Sequence, residues 1–166
     1  MHLRPAHVDD AAAIAAIYNH YVLTTTISFE ETPVDGAEMA LRLAAVQGAN
    51  LPYLVAEEDG VVTGYAYATP WRARPAYRGS VETSIYLQAG THARGTGTTL
   101  YRRLLADIAA RGLHVAIGGI AQPNAASVAL HEKLGFEITG QMKEVGTKFG
   151  RWLDLTFMQL TLPEKP

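Results

Sequence analysis

The chain has 166 residues, 48% hydrophobic and 18% charged, enough apolar material for one domain with a substantial core. Its formal charge of −2 leaves no basic excess to hold nucleic acid or an anionic membrane over a broad surface. It contains no cysteine, which excludes disulfides, thiolate catalysis and cysteine metal sites and suits a reducing cytoplasm.

The first element is a short strand, "HLRPA", ended by Pro5. A helix follows from about Val8, with Ile14, Ile17, Tyr18 and Tyr21 at spacings of three and four. Its apolar run Ala11 to Tyr18 follows Asp9 and Asp10, not a basic leader, and reads as helix of the mature chain. No stretch approaches the ~20 apolar residues of a membrane span. "TTTISFEETPVD" is a loop, because its β-branched run opposes continuing the helix. Asp35 and Glu38 have capping-box spacing, so a second helix begins there. "PYLVAEEDGVVTGYAYATP" is a hairpin turning at Asp59-Gly60, both with positive φ. "YRGSVETSIYLQ" (77–88) is a long strand. After a glycine turn comes a helix with Leu100, Leu104, Leu105 and Ile108 on one face, ended by Gly112. "LHVAIGGIA" (113–121) is a buried strand, and Asn124 opens a helix closing at Leu134-Gly135. Two strands finish the chain, at about 136–146 and 152–162.

The order β-α-α-β-β-β-α-β-α-β-β predicts an α/β (α+β) fold: a mixed, largely antiparallel sheet with helices packed on it. Strands 77–88 and 113–121 are joined through a helix and are expected as parallel neighbours. No repeat, linker or low-complexity tract divides residues 1–166, so one domain is expected.

The glycine turn lies in "THARGTGTTLYRRLL" (91–105). A helix start exposes unpaired N–H groups and a partial positive charge, and Gly95 and Gly97 permit close backbone approach. Such a turn can cradle phosphate, or can simply join strand to helix. Thr98-Thr99 stand where a P-loop needs lysine followed by Ser or Thr, and a dinucleotide fingerprint needs a small residue where Leu100 sits. Both of those readings fail.

A second stretch, "QPNAASVALHEKLGF" (122–136), adds support. Together the two resemble the GNAT superfamily of acyl-CoA N-acyltransferases. The phosphate-loop pattern Gln/Arg-x-x-Gly-x-Gly/Ala falls on His92 to Gly97, with His92 a departure at the first position. The later pattern falls on Asn124, Ser127, His131, Gly135 and Phe136. "VETSIY", "PNAASVALHEKLGF", "KFGRWLDL", "IYNHYV" and "WRARPAY" resemble the phosphinothricin acetyltransferase branch. The resemblance implies the GNAT fold, in which strand 77–88 splays from strand 113–121 to admit a pantetheine arm. It implies acetyl transfer from acetyl-CoA to the α-amino group of phosphinothricin, methionine sulfoximine or a related amino acid, without a metal. It also implies a cytoplasmic homodimer, as does the apolar series Leu153, Leu155, Phe157 and Leu160, too large for one small sheet face to hide. The rival readings are a peptide or protein N-terminal acetyltransferase and a non-catalytic acyl-CoA sensor.

An α-ammonium must lose a proton before it attacks a thioester. Glu82 is a carboxylate among Val, Thr, Ser, Ile, Tyr and Leu in the middle of its strand and matches the family's general base. His131 stands where many relatives place a tyrosine that protonates the leaving thiolate, and it titrates near neutrality. The implied cofactor set is Leu87, His92, Ala93, Arg94, Gly95, Thr96, Gly97, Thr98, Thr99, Asn124 and Ser127. "WRARPAYR" holds three arginines, and arginine binds carboxylate or phosphinate through paired hydrogen bonds. Arg72 and Arg74 are therefore assigned to acidic groups of the acceptor, Trp71 and Tyr77 to its walls, and Phe29 with Glu31 to a covering loop.

Overall fold

A computed structural model describes residues 1–91 and 95–163. Among them the elements run β1 (His2–Pro5), α1 (Ala11–Thr24), α2 (Gly36–Gly48), β2 (Tyr53–Glu58), β3 (Val61–Pro70), β4 (Ser80–Leu87), α3 (Thr96–Ala110), β5 (Val115–Ala121), α4 (Ala125–Lys133), β6 (Glu137–Lys148) and β7 (Arg151–Thr161). The strands form one seven-stranded sheet in the order β1-β2-β3-β4-β5-β7-β6. All neighbours are antiparallel except β4 and β5. The predicted α/β architecture and its single parallel pair are both found.

Local chemistry sets the boundaries. The first helix begins later than Val8, after a 3-10 turn at Val8–Asp10. There the Asp10 carboxylate accepts from the His7 N–H at 2.7 Å and is itself gripped by Arg4 through two bonds of 2.8 Å. Asp35 caps α2 by accepting from the Glu38 N–H at 2.8 Å. Asp59 and Gly60 turn the β2–β3 hairpin with φ of 51° and 79°. Phe149 and Gly150 repeat that device, at 51° and 69°, and so lengthen β6 and β7 toward each other beyond the expected ends. The strand expected over 77–88 starts only at Ser80, because Pro75 nucleates a 3-10 turn through Tyr77.

Alternate residues of a strand face opposite sides, and β4 shows which helices lie where. Tyr86 packs edge-on against Tyr18 and Tyr21 of α1. Thr83 points the other way, to Tyr101 of α3. Thus α1 and α2 cover one face and α3 and α4 the other. Leu100, Leu104 and Ile108 of α3 are fully buried, each contributing roughly 1.5–3 kcal/mol of burial. On β7 the expected exposure is partly wrong: Leu153 is 2% exposed within the chain itself. The apolar surface lies instead on Trp152, Phe149, Val145, Met142 and Ile138 of the β6–β7 hairpin. Among the described residues no helix is long and apolar enough to cross a membrane.

Candidate active site

β4 and β5 pair over three rungs only, Ser80 with Val115, Val81 with Ala116 and Glu82 with Ile117. Beyond Glu82 the strands diverge, which opens the sheet as the resemblance implied. Side chains take over the lost ladder at the fork. The Thr83 hydroxyl donates to the Ile117 carbonyl at 3.1 Å and shares a 2.6 Å hydrogen bond with the Tyr101 hydroxyl. Tyr101 in turn lies 2.9 Å from His131 Nε2.

Two glycines stand where the strands part, and each makes room for one chemical group. A Cβ on Gly118 would lie 2.5 Å from His131 Nε2, and one on Gly119 would lie 3.2 Å from Glu82 Oε1. Consecutive strand residues face opposite sides. The imidazole therefore sits on the α3–α4 face of β5 and the carboxylate on the α1–α2 face.

Burial raises the Glu82 pKa above its ordinary value, and the positive charge of Arg72 partly opposes this. Glu82 is thus a stronger base than a surface glutamate. Burial pushes His131 the other way, below the ordinary imidazole value, while a bond to the Ser127 main chain opposes the shift. His131 Nδ1 lies 2.8 Å from the Ser127 carbonyl oxygen, which can only accept, so Nδ1 carries the proton. Nε2 then faces the Tyr101 hydroxyl at 2.9 Å, and because the Thr83 proton goes to the Ile117 carbonyl, the one Tyr101 proton is shared between Nε2 and Thr83 Oγ1. Both nitrogens are occupied, and His131 meets the fork through Tyr101.

The fork leads into a groove of about 450 Å³ whose lining includes Tyr21, Ile27, Leu87, Asn124, Ser127 and Leu130. The Tyr21 hydroxyl donates to the Leu87 carbonyl at 2.6 Å. Asn124 caps α4, accepting from the Ser127 N–H at 3.1 Å. At the start of α3, Gly95 adopts φ 78° and no side chain caps the helix. Among the described residues the N–H groups of Thr96, Gly97 and Thr98 meet no acceptor, while Thr99 bonds back to Gly95. A Cβ on Gly97 would lie 3.3 Å from Leu87 Cδ1, so backbone and β4 approach closely here. This uncapped turn beside a long groove fits a diphosphate and its attached arm. His92, Ala93 and Arg94 lie outside the described residues.

On the other face, Trp71 meets Phe157 edge-on at 5.6 Å, and the Arg72 guanidinium lies 5.0 Å above the Trp71 ring. Arg72 is the cation felt by Glu82. Arg74 and Tyr77 belong to the 3-10 turn and, with Trp71 and Arg72, line an adjoining hollow of about 400 Å³. Neither forms a hydrogen bond or ion pair with Glu82. The α1–α2 loop crosses above as a strap fastened on both sides. Glu30 is bound by Arg42 at 2.6 Å, and Lys148, 2% exposed, donates to the Ser28 carbonyl at 2.7 Å. Phe29 fills the space that Gly146 leaves by having no side chain, and Glu31 lies within the field of Lys148.

Thr83, Tyr101, the Gly118–Gly119 pair and Lys148 were not singled out from sequence. A tyrosine inside the apolar face of α3 was the available signal, since a buried phenol needs a partner. No cluster of three or more metal-binding side chains occurs among the described residues.

The acetyltransferase (GNAT) domain family matches residues 3–157. The chain is 47% identical to the L-amino acid N-acyltransferase MnaT of Escherichia coli, over 99% of this chain and 96% of that one. It is 46% identical to the L-methionine sulfoximine/L-methionine sulfone acetyltransferase of Salmonella typhimurium, over 99% and 96%. Among solved structures, a phosphinothricin acetyltransferase from Sinorhizobium meliloti in complex with AcCoA superposes with a TM-score of 0.94 at 44% identity, covering 97% of this chain and 88% of that one. The forked sheet, the uncapped helix start and these matches agree: the chain belongs to the GNAT acetyltransferase family.

Proposed function

We propose that the protein transfers the acetyl group of acetyl-CoA to the α-amino group of a small amino-acid-like acceptor of the methionine sulfone, methionine sulfoximine or phosphinothricin type. The observation that carries this reading is the placing of Glu82 at the fork, with its carboxylate on one face and the Tyr101–His131 pair on the other. The main-chain N–H groups opening α3, with Asn124 and Ser127, would hold the diphosphate and pantetheine of acetyl-CoA. That cosubstrate supplies an activated thioester carbonyl.

Glu82 takes a proton from the α-ammonium, directly or through one water, and the freed amine nitrogen attacks the carbonyl carbon. Negative charge that develops on the carbonyl oxygen meets a main-chain N–H of β4 between residues 85 and 87, where the β5 ladder is absent. As the C–N bond forms the C–S bond breaks; the nitrogen gives its surplus proton to water, and the thiolate takes a proton from the His131–Tyr101 pair, which water restores. Arg72 and Arg74 receive the acidic groups of the acceptor, Trp71 and Tyr77 flank it, and Phe29 with the strap covers it. A cytoplasmic homodimer completes the proposal, with the exposed apolar surface of the β6–β7 hairpin as its interface.

Free-thiol release from acetyl-CoA tests the function. The expected result is turnover with methionine sulfone, methionine sulfoximine or phosphinothricin that Glu82→Gln abolishes. No release above background with any amino acid would refute it, and turnover restricted to peptides would transfer the protein to N-terminal acetylation.

A further inference from the structure

The fork holds a small cavity of its own, about 50 Å³, whose lining includes Ile27, Ser84, Ile85, Gly119, Ala121 and Ser127. Ile27, Ile85, Asn124 and Ser127 also line the groove of about 450 Å³. These shared residues form the neck at which the wide groove narrows into the fork. Ile85 is set in β4, and Asn124 and Ser127 open α4. Ile27 comes from the strap between α1 and α2, and no step of the chemistry above uses it.

A pantetheine arm laid in the groove brings its thioester to this neck and directs the acyl chain into the fork cavity. A water takes up ~30 Å³ of liquid, so about 50 Å³ leaves room for an acetyl group and little more. The strand walls cannot give way, because Ser84, Gly119 and Ala121 are already small and stand in the sheet. The strap wall is held firmly on both sides of Ile27. The Thr25 hydroxyl donates to the Tyr21 carbonyl at 2.8 Å and accepts from the Ile27 N–H at 3.2 Å. The Ser28 hydroxyl shares a 2.8 Å bond with the Tyr18 hydroxyl, and the Ser28 carbonyl accepts from Lys148 at 2.7 Å. Lys148 is buried, and its one hydrogen bond among the described residues goes to the strap. A β-branched side chain is stiff at χ1, so Ile27 on a pinned main chain makes a rigid wall.

Resting on the function proposed above, we infer that Ile27 sets the size of the acyl group transferred, closing the fork to chains longer than acetyl, and that Lys148 is a positioning residue that holds Ile27 in place. The donor is thus selected from outside the sheet, by a side chain carried on the strap. Longer acyl-CoA molecules still fit the groove with their common arm, but their extra methylenes meet Ile27.

The test compares kcat/KM for acetyl-CoA and butyryl-CoA, at saturating L-methionine sulfone, in the wild type, Ile27→Ala, Lys148→Met and the double variant. Ile27 is exposed, so its truncation costs the fold little. In the wild type butyryl-CoA should be about 100-fold or more poorer, because each methylene forced against a full pocket costs about tenfold or more. Ile27→Ala should raise the butyryl-to-acetyl ratio about tenfold or more. Lys148→Met keeps an unbranched apolar stem and loses the bond to Ser28, and should raise the ratio about threefold, the worth of one hydrogen bond. In the double variant the lysine change should add nothing, because it acts through Ile27. A wild type that uses both donors equally well, or a ratio unmoved by Ile27→Ala, would overturn the inference. A lysine effect that persists in full without Ile27 would overturn the positioning role. If Lys148→Met does not fold, Ile27→Ala decides alone. A wild type that releases no thiol from acetyl-CoA with any amino acid refutes the function itself, whereas constant ratios in an active enzyme refute only the gate.

Discussion

Replacing Thr83 by valine keeps the shape of the side chain and removes the hydroxyl that holds the fork. In the native sheet that hydroxyl donates to the Ile117 carbonyl at 3.1 Å and bonds Tyr101 at 2.6 Å. Tyr101 retains His131 after the change, so only the Ile117 carbonyl loses a partner outright. One orphaned buried acceptor costs about 1–3 kcal/mol and one lost neutral hydrogen bond about 0.5–1.5. The expected loss is about 2–4 kcal/mol, and at roughly 2–4 °C per kcal/mol for a chain of this length the Tm should fall by roughly 5–15 °C. Urea denaturation should show a lower midpoint with an unchanged slope. Thr83→Ser keeps the hydroxyl and loses one methyl, at about 1 kcal/mol. A valine variant as stable as the wild type, or a serine variant less stable than valine, would refute the view that this side chain replaces the missing ladder.

Glu82→Gln should lower kcat by about 10²–10⁴, the usual worth of a positioned base. The same variant should be more stable than the wild type at pH 8. The folded pKa of Glu82 is raised, so its ionised form costs stability that is absent below the ordinary carboxylate range and grows as pH rises through the raised value. Denaturation midpoints of the two proteins should therefore converge toward pH 4. His131 has a depressed folded pKa, so wild-type stability should fall as pH drops below the ordinary imidazole value, and His131→Gln should flatten that slope. Gly119→Ala should lower kcat roughly tenfold, since its Cβ 3.2 Å from Glu82 Oε1 shifts the base by less than the ~1 Å that costs 10²-fold. The acid limb of its pH–rate profile should also move upward, as the methyl further desolvates the carboxylate; an unmoved limb would mean the two do not meet.

The order of elements was legible because hydrophobic periodicity and turn residues are local signals. Asp59-Gly60, Asp35 and Asn124 act as their neighbours dictate. Glu82 was legible as a charge among β-branched and apolar residues, and Gly95 as part of a tight turn before a helix. The three-rung limit of the β4–β5 pair was not, because it depends on Thr83 meeting residues 18 and 34 positions away. For the same reason Tyr101 went unnoticed: its partners come from β4 and α4. Leu153 misled in the opposite sense, since folding buries it within the chain. Lys148 gave no sequence signal, because only the path of a loop 120 residues earlier gives it a role.

The Gly118–Gly119 pair has a consequence for how this enzyme can change. The His131 imidazole and the Glu82 carboxylate lean on opposite sides of the same two-residue span, each filling the hollow left by a missing methyl. A backbone shift that eases one crowds the other. Substitutions near His131 and near Glu82 should thus be strongly epistatic although the sheet separates them, and a lineage adapting to a new amine would inherit an altered exit for the spent thiol in the same step.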